Sequence, residues 1–169
     1  MPKPLVSIVM GSESDLAVME QAADVLGEFG VAHELAITSA HRSPEWTRRY
    51  ISEAERKGVE IFIAGAGGAA HLAGTVAAHT TRPVIGVPID SSSLKGLDAL
   101  LSTAQMPGGV PVATMAIGKS GAKNAGILAV QILGIGNKEL ARKVKKYKDK
   151  LEEEVEAKAR RIQRTGRQN

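Results

Sequence analysis

The chain has 169 residues, 43% of them apolar and none of them cysteine, with 22 Lys and Arg against 18 Asp and Glu. That length suffices for one domain with a real core, and the lack of cysteine excludes a disulfide scaffold, a thiolate-ligated metal and a thiol nucleophile while fitting a reducing, cytoplasmic compartment. The formal charge of +4 averages two unlike regions: residues 138–169 carry 12 basic and 6 acidic side chains, and the other residues carry 10 basic and 12 acidic, so the body is slightly acidic and the basic tail alone says little about nucleic acid.

Leu5–Met10 is a short β-branched run that predicts the first strand, followed by Gly11-Ser12-Glu13-Ser14-Asp15 at a helix start. Glycine permits a tight turn there, and hydroxyls with free N–H groups at a helix start suit a phosphate; the plainer reading is a serine cap. Leu16, Met19, Ala23, Leu26 and Phe29 share one helical face that stops at Gly30. His33–Ile37 reads as the second strand. Ser39-Ala40-His41-Arg42 follows it, and Ser43-Pro44 predicts a capped helix running to Gly58. A histidine can exchange protons near neutral pH and an adjacent arginine can fork onto a phosphate, although a plain surface loop has the same composition.

Glu60–Ala64 predicts the third strand, and Gly65-Ala66-Gly67-Gly68-Ala69-Ala70-His71 its loaded end. Gly65-x-Gly67-x-x-Ala70 with Asp90 formally matches a dinucleotide fingerprint, but it follows the third strand rather than opening a first βαβ unit. The same glycines allow backbone N–H groups to approach a small ligand, or a thin helix to pack closely. Pro83–Pro88 and Val110–Ala116 predict the last strands, with Pro88–Ser93 and Gln105–Gly109 as loops that either cover a site or merely connect. Strand and helix alternating about five times predict a three-layer α/β/α sandwich with a flavodoxin-like parallel sheet. In such a fold the three loaded strand ends converge outside the carboxyl edge.

From Lys138, the residues Leu140, Val144, Tyr147, Leu151, Val155 and Ile162 form an apolar stripe among charges. We expect a single domain over 1–169: a body at 1–137, an amphipathic helix at 138–165 and a short tail at 166–169. Acidic Glu152–Glu154 and Glu156 interrupt the basic run, so a solvated face is the expectation and nucleic acid is not. Five scattered aromatics are too few for a base-stacking surface. No apolar run approaches the roughly 20 residues that span a bilayer, and the first residues lack a signal-peptide layout. No histidine or carboxylate spacing suits a metal, and His33 and His79 read as structural or exposed. No Gly-x-Ser-x-Gly elbow supports a serine hydrolase.

Taken together, Ile8–Asp15, Ser39–Arg42, Ala64–Leu72, Gly86–Pro88 and Gln105–Pro111 resemble, in order and from about residue 5 to 150, the bacterial 5-(carboxyamino)imidazole ribonucleotide mutases of purine biosynthesis. The unbroken Gly65–His71 stretch resembles the mutases more than the related carboxylases that use free carbon dioxide. The resemblance implies a cofactor-free isomerase that moves a carboxylate from the exocyclic nitrogen to carbon four of the imidazole, with neither metal nor membrane. It assigns Ser12, Asp15 and Arg42 to the ribose phosphate and His41 to proton transfer, with Gly11, Ser14 and Ser39 as further substrate-binding residues. It places the Gly65–His71 stretch, with Gly65, Ala66, Gly67, Gly68, Ala69 and His71 as substrate-binding residues, around the carboxylate and carbon dioxide, and counts Leu72 as a further substrate-binding residue. It also implies a homo-octamer. Three features depart from the pattern: Ala73 where proline is usual, Ser43-Pro44-Glu45 for Thr-Pro-Asp, and a longer, more basic C-terminal helix. The alternatives are the carboxylase activity on the same scaffold, and a nucleotide-binding module without chemistry.

Overall fold

A computed structural model describes residues 3–165. The elements run β1 (Val6–Met10), a 3-10 turn (Glu13–Asp15), α1 (Leu16–Phe29), β2 (His33–Ile37), α2 (Pro44–Lys57), β3 (Ile61–Gly67), α3 (Leu72–His79), β4 (Val84–Ile89), α4 (Leu97–Ala104), β5 (Ala113–Thr114), α5 (Lys119–Gly136) and α6 (Lys138–Thr165). The expected tail at 166–169 lies outside the described residues. The chain forms two compact units, Met1–Ala129 and Val130–Asn169.

The first unit is built on a five-stranded parallel sheet of order β2-β1-β3-β4-β5, the flavodoxin-like arrangement. Right-handed crossovers decide its layers. The chain leaves β1 toward one edge through α1 and returns across the sheet through α2, so the two helices fall on opposite faces. Side-chain alternation agrees. On one face Val9, Phe62 and Ala64 pack with Tyr50, Ile51 and Ala54 of α2 and Leu72, Ala73 and Val76 of α3. On the other, Gly65 lies against Met19 of α1, and Gly126 of α5 against Val25 of α1. Phe62, Ile8, Met10, Met19 and Leu26 are fully buried, each worth roughly 1.5–3 kcal/mol in removed apolar surface.

Several local signals act as expected. Gly30 and Gly58 end α1 and α2 with φ of 74° and 110°, the left-handed turn that closes a helix. Two strands differ from expectation. β3 runs on through Gly65, Ala66 and Gly67, because its ladder to β4 continues to Gly67↔Ile89 although glycine has little strand preference of its own. β5 shrinks to two residues, because Pro107 and Pro111 break the run before it and proline has no N–H for a ladder. Ala73, in the first turn of α3, is buried, and its side chain packs near Gly86.

In the second unit Asn137 caps α6, its Oδ1 accepting from the N–H groups of Glu139 and Leu140 at 3.0 and 3.2 Å. The apolar stripe is graded: Leu140 is buried, Val144 and Tyr147 are half-buried, and Leu151, Val155 and Ile162 are exposed. Ion pairs at i,i+4, Glu139–Lys143, Lys145–Asp149 and Glu156–Arg160, run along the helix surface, each worth a few tenths of a kcal/mol. Among the described residues no helix is long and apolar enough to cross a membrane.

At the amino-terminal half of the sheet, the Tyr50 hydroxyl donates to Glu34 Oε1 at 2.7 Å and lies 2.7 Å from the buried Ser7 hydroxyl; Lys57 donates to the other Glu34 oxygen at 3.2 Å. Burial, reinforced by the Glu34 carboxylate, pushes the Tyr50 phenol well above its ordinary value. Tyr50→Phe strands the Ser7 hydroxyl in the core and should cost about 1–3 kcal/mol, read as a lower urea midpoint with an unchanged slope.

Candidate active site

The carboxyl ends of β1, β2, β3 and β4 surround a cleft of about 280 Å³. Its position follows from topology: β1 and β3 are neighbours whose helices leave to opposite faces, and a crevice opens between them. Gly11, Ser12, Ser14 and Asp15 line it from β1, Ser39, Ala40, His41 and Arg42 from β2, Ala66, Gly67, Ala70, His71 and Leu72 from β3, and Ser91 from β4.

The β1 wall is a small hydrogen-bonded turn. The Ser12 hydroxyl caps the 3-10 turn, accepting from the Ser14 N–H at 3.4 Å and the Ser14 hydroxyl at 3.0 Å. Asp15 is buried, with its N–H on the Ser12 carbonyl at 3.1 Å. Burial raises the Asp15 carboxyl above its ordinary value; hydrogen bonds from Ser12, Ser14 and Gly11, and the attraction of Arg42, work against that shift without cancelling it.

The β2 wall is tied down by serines. Ser43 stands at the start of α2 but its hydroxyl does not cap that helix; it accepts from the Ser39 N–H at 3.1 Å and donates to the Ser39 carbonyl at 3.2 Å, pinning the loop. Arg42 is latched across to β1, its Nη2 donating to the Gly11 carbonyl at 2.8 Å and its Nε to the Ser39 hydroxyl at 3.4 Å. One guanidinium edge is thereby oriented while the residue stays exposed. With three serine hydroxyls and this cation, the β1–β2 half of the cleft suits a phosphate ester.

Where the β2 and β3 loops meet stands the histidine pair. His41 Nε2 lies 2.6 Å from His71 Nδ1, with ring centroids 4.7 Å apart and planes at 79°. Only one hydrogen fits between those nitrogens, so one ring donates and the other accepts. The turn that aims His71 has Gly68 at φ 59° and Ala70 at φ 45°. For alanine that left-handed conformation costs about 1–2 kcal/mol, strain of the kind that collects at functional sites.

Of the residues expected at the site, Gly65, Gly68 and Ala69 do not line the cleft. Gly65 lies inside the sheet opposite Met10, its missing side chain leaving room for Met19; Gly68 supplies the left-handed turn; Ala69 faces solvent. Gln105, Met106 and Pro107 line a second cavity of about 500 Å³ beside α3, which shares Ala70 and His71 with the cleft. Asp90, the acid of the dinucleotide fingerprint, is exposed and does not line the cleft. Ala70 lines it as part of the expected Gly65–His71 stretch, and Ala40 and Ser91, not singled out as site residues, line it too. For Ser91 the signal was its place in the Pro88–Ser93 loop, which the sequence left open as either covering a site or merely connecting. Among the described residues no group of histidine and carboxylate side chains could hold a metal.

Fold and cleft together define a flavodoxin-like α/β protein that gathers an arginine, a buried carboxyl and two imidazoles at its topological switch point. The chain belongs to the AIR carboxylase family, whose family model matches residues 5–154. It is 58% identical over 163 residues to the N5-carboxyaminoimidazole ribonucleotide mutase of Thermotoga maritima, covering 96% of this chain and 94% of that one. It is 55% identical to the protein of the same name from Pyrococcus horikoshii, covering 97% and 92%. The crystal structure of Treponema denticola PurE superposes with a TM-score of 0.82 at 33% identity, covering 90% and 94%.

A carboxyl raised by burial binds its proton more tightly in the folded than in the unfolded state, so stability falls as pH rises from the ordinary carboxylate range through the folded value. Above that range the full cost is present. Asp15→Asn should therefore raise the urea midpoint at pH 7, with the gain shrinking toward pH 4; a lower midpoint at pH 7 would contradict this account.

Proposed function

We propose that this protein converts 5-carboxyamino-1-(5-phosphoribosyl)imidazole into 5-amino-1-(5-phosphoribosyl)imidazole-4-carboxylate, an isomerisation in purine biosynthesis. The observation that carries the reading is the His41–His71 pair at 2.6 Å standing in the same cleft as the latched Arg42. A phosphate anchor at one end and a proton-handling pair toward the other suit a ribonucleotide whose ring must lose and regain protons. The mutase names of relatives identical at 55–58% over nearly the whole chain support the same substrate.

In this reading Arg42, Ser12, Ser14 and Ser39 hold the phosphate end. The Asp15 carboxyl, a poor neighbour for a phosphate anion, accepts from a ribose hydroxyl. The carbamate C–N bond breaks, its electron pair returning to the nitrogen, which takes a proton from His41. The carbon dioxide released stays against the backbone of the Ala66–Ala70 turn until ring carbon four attacks it. His41 then removes the proton from that carbon as the ring regains aromaticity, so no proton is consumed overall. His71 contributes by fixing the ring and tautomer of His41 through their shared hydrogen. Holding carbon dioxide against that turn matters because it would otherwise escape to solvent.

Eight chains of 17.8 kDa, about 142 kDa, are the assembly we propose. Exposed Leu94, Leu97 and Leu101 on and before α4 support burial against other copies.

The test is an ATP-free assay with the N-carboxylated nucleotide, following the carbon-linked carboxylate. Turnover is expected from the carbamate. Product formed only from the uncarboxylated nucleotide with bicarbonate would assign the carboxylase activity instead. His41→Asn should lower kcat by about 10²–10⁴-fold, the usual weight of a general acid–base group, and near-wild-type turnover would remove His41 from the mechanism.

A further inference from the structure

Ser91 is the residue that the end of β4 contributes to the cleft, and among the described residues its hydroxyl has no hydrogen-bond partner. The other serines on the wall, Ser12, Ser14 and Ser39, all have side-chain partners. Nearby Ser92 is also engaged, donating to Asp98 Oδ2 at 2.7 Å and accepting from the Leu94 N–H at 3.2 Å. That pair of bonds, with Lys95 and Gly96 in left-handed conformations, holds the loop that carries Ser91.

Gly67 sets where the free hydroxyl lies. A side chain at Gly67 would collide with Ser91 Oγ and come within 3.1 Å of the Ile89 carbonyl. The glycine therefore lets the β3 turn and the start of the β4 loop close to contact, with Ser91 Oγ at the seam. Gly67 lines the same cleft, as do Ala70 and His71 from the same turn.

Strand order gives the distance from the phosphate end. β4 stands two strands from β1 and three from β2, about 10 and 14 Å at the ordinary strand spacing. Arg42 and the serines that suit a phosphate belong to β1 and β2, so Ser91 sits at the opposite end, where a ribonucleotide anchored by its phosphate presents the substituents of its base. A hydroxyl donor with no internal partner matches an anionic acceptor there.

We infer that Ser91 is a further substrate-contacting residue, donating its hydroxyl hydrogen to the carboxylate of the N-carboxylated substrate and of the carbon-linked product. This inference rests on the isomerase reading above. No bond to Ser91 forms or breaks. The hydroxyl keeps the departing carbon dioxide close to the ring and turns it toward carbon four, so its loss should show as leakage as well as slower turnover.

The experiment compares wild type, Ser91→Ala and Ser91→Asp in the ATP-free assay, measuring product and escaped uncarboxylated nucleotide together, and measures binding of the carbon-linked carboxylate and of the uncarboxylated nucleotide by calorimetry. Ser91→Ala removes an exposed oxygen that holds no internal bond, so an unchanged melting temperature is expected and checks the fold. Expected for Ser91→Ala are a loss of about ten- to hundredfold in kcat/KM, a larger escaped fraction, and weaker binding of the carboxylated ligand with binding of the uncarboxylated one unchanged. Ser91→Asp should weaken the carboxylated ligand further through charge repulsion. If wild type turns over and Ser91→Ala matches it in turnover, leakage and affinity, the role of Ser91 is overturned while the isomerase reading stands. Equal weakening of both ligands likewise overturns the carboxylate contact. Inactive wild type fails the isomerase reading itself, and unaltered binding of carboxylated ligand by Ser91→Ala then fails the contact as well.

Discussion

The β1–β3 ladder, with Met10 opposite Gly65, is the contact on which the cleft depends. The two strands run side by side, but the chain reaches β2 from β1 by one face and β3 from β2 by the other, so no helix covers the space above their carboxyl ends. Right-handed crossover is a property of twisted strands, not of particular side chains. Side chains enter only to permit the close approach. Gly65 must lack a Cβ because Met19, packed beneath from α1, occupies the space one would take. The glycine makes room for a buried methionine, while the opening itself follows from the crossovers.

Around that opening the loops are held by bonds that run between strands. Arg42 leaves β2 and grips a carbonyl at the end of β1; Ser43, at the start of α2, ties the loop back on Ser39; His41 meets His71 from β3. Each link spends a polar group that would otherwise meet water, and together they hold in place the groups that a substrate would meet. Such preorganisation is what an acid–base reaction requires, because a proton donor that must first be oriented adds that cost to the barrier. The strained Ala70 belongs to the same arrangement, since the energy stored in its backbone sets the direction from which His71 enters.

The parts of the cleft differ in chemistry. Toward β1 and β2 it offers hydroxyls and a guanidinium, suited to a charged ester; the two imidazoles meet where the β2 and β3 loops face each other, and toward β3 and β4 it offers glycine-rich backbone and the Ser91 hydroxyl, suited to a neutral ring and a small carboxyl group. Asp15 sits between these demands. Its burial raises its proton affinity and costs stability, which fits a group kept for binding rather than for the fold.

Local signals in the sequence settled much of this. The helix stops at Gly30 and Gly58, the proline-led start of α2, the strands at Ile8, Leu35 and Ile63 and the long C-terminal amphipathic helix were all legible, because periodicity, caps and breakers act within a few residues of where they stand. So were most of the cleft residues, since they cluster at strand ends. Three things were decided only in three dimensions. β3 extends through glycines because its neighbours supply a ladder; Gly65 and Gly68 serve packing and turn geometry instead of lining the cleft; and Ser91, an ordinary serine in a loop, acquires its position from Gly67, 24 residues earlier. Each depends on a contact between segments distant along the chain, and no pattern within a single segment encodes the distance between two of them.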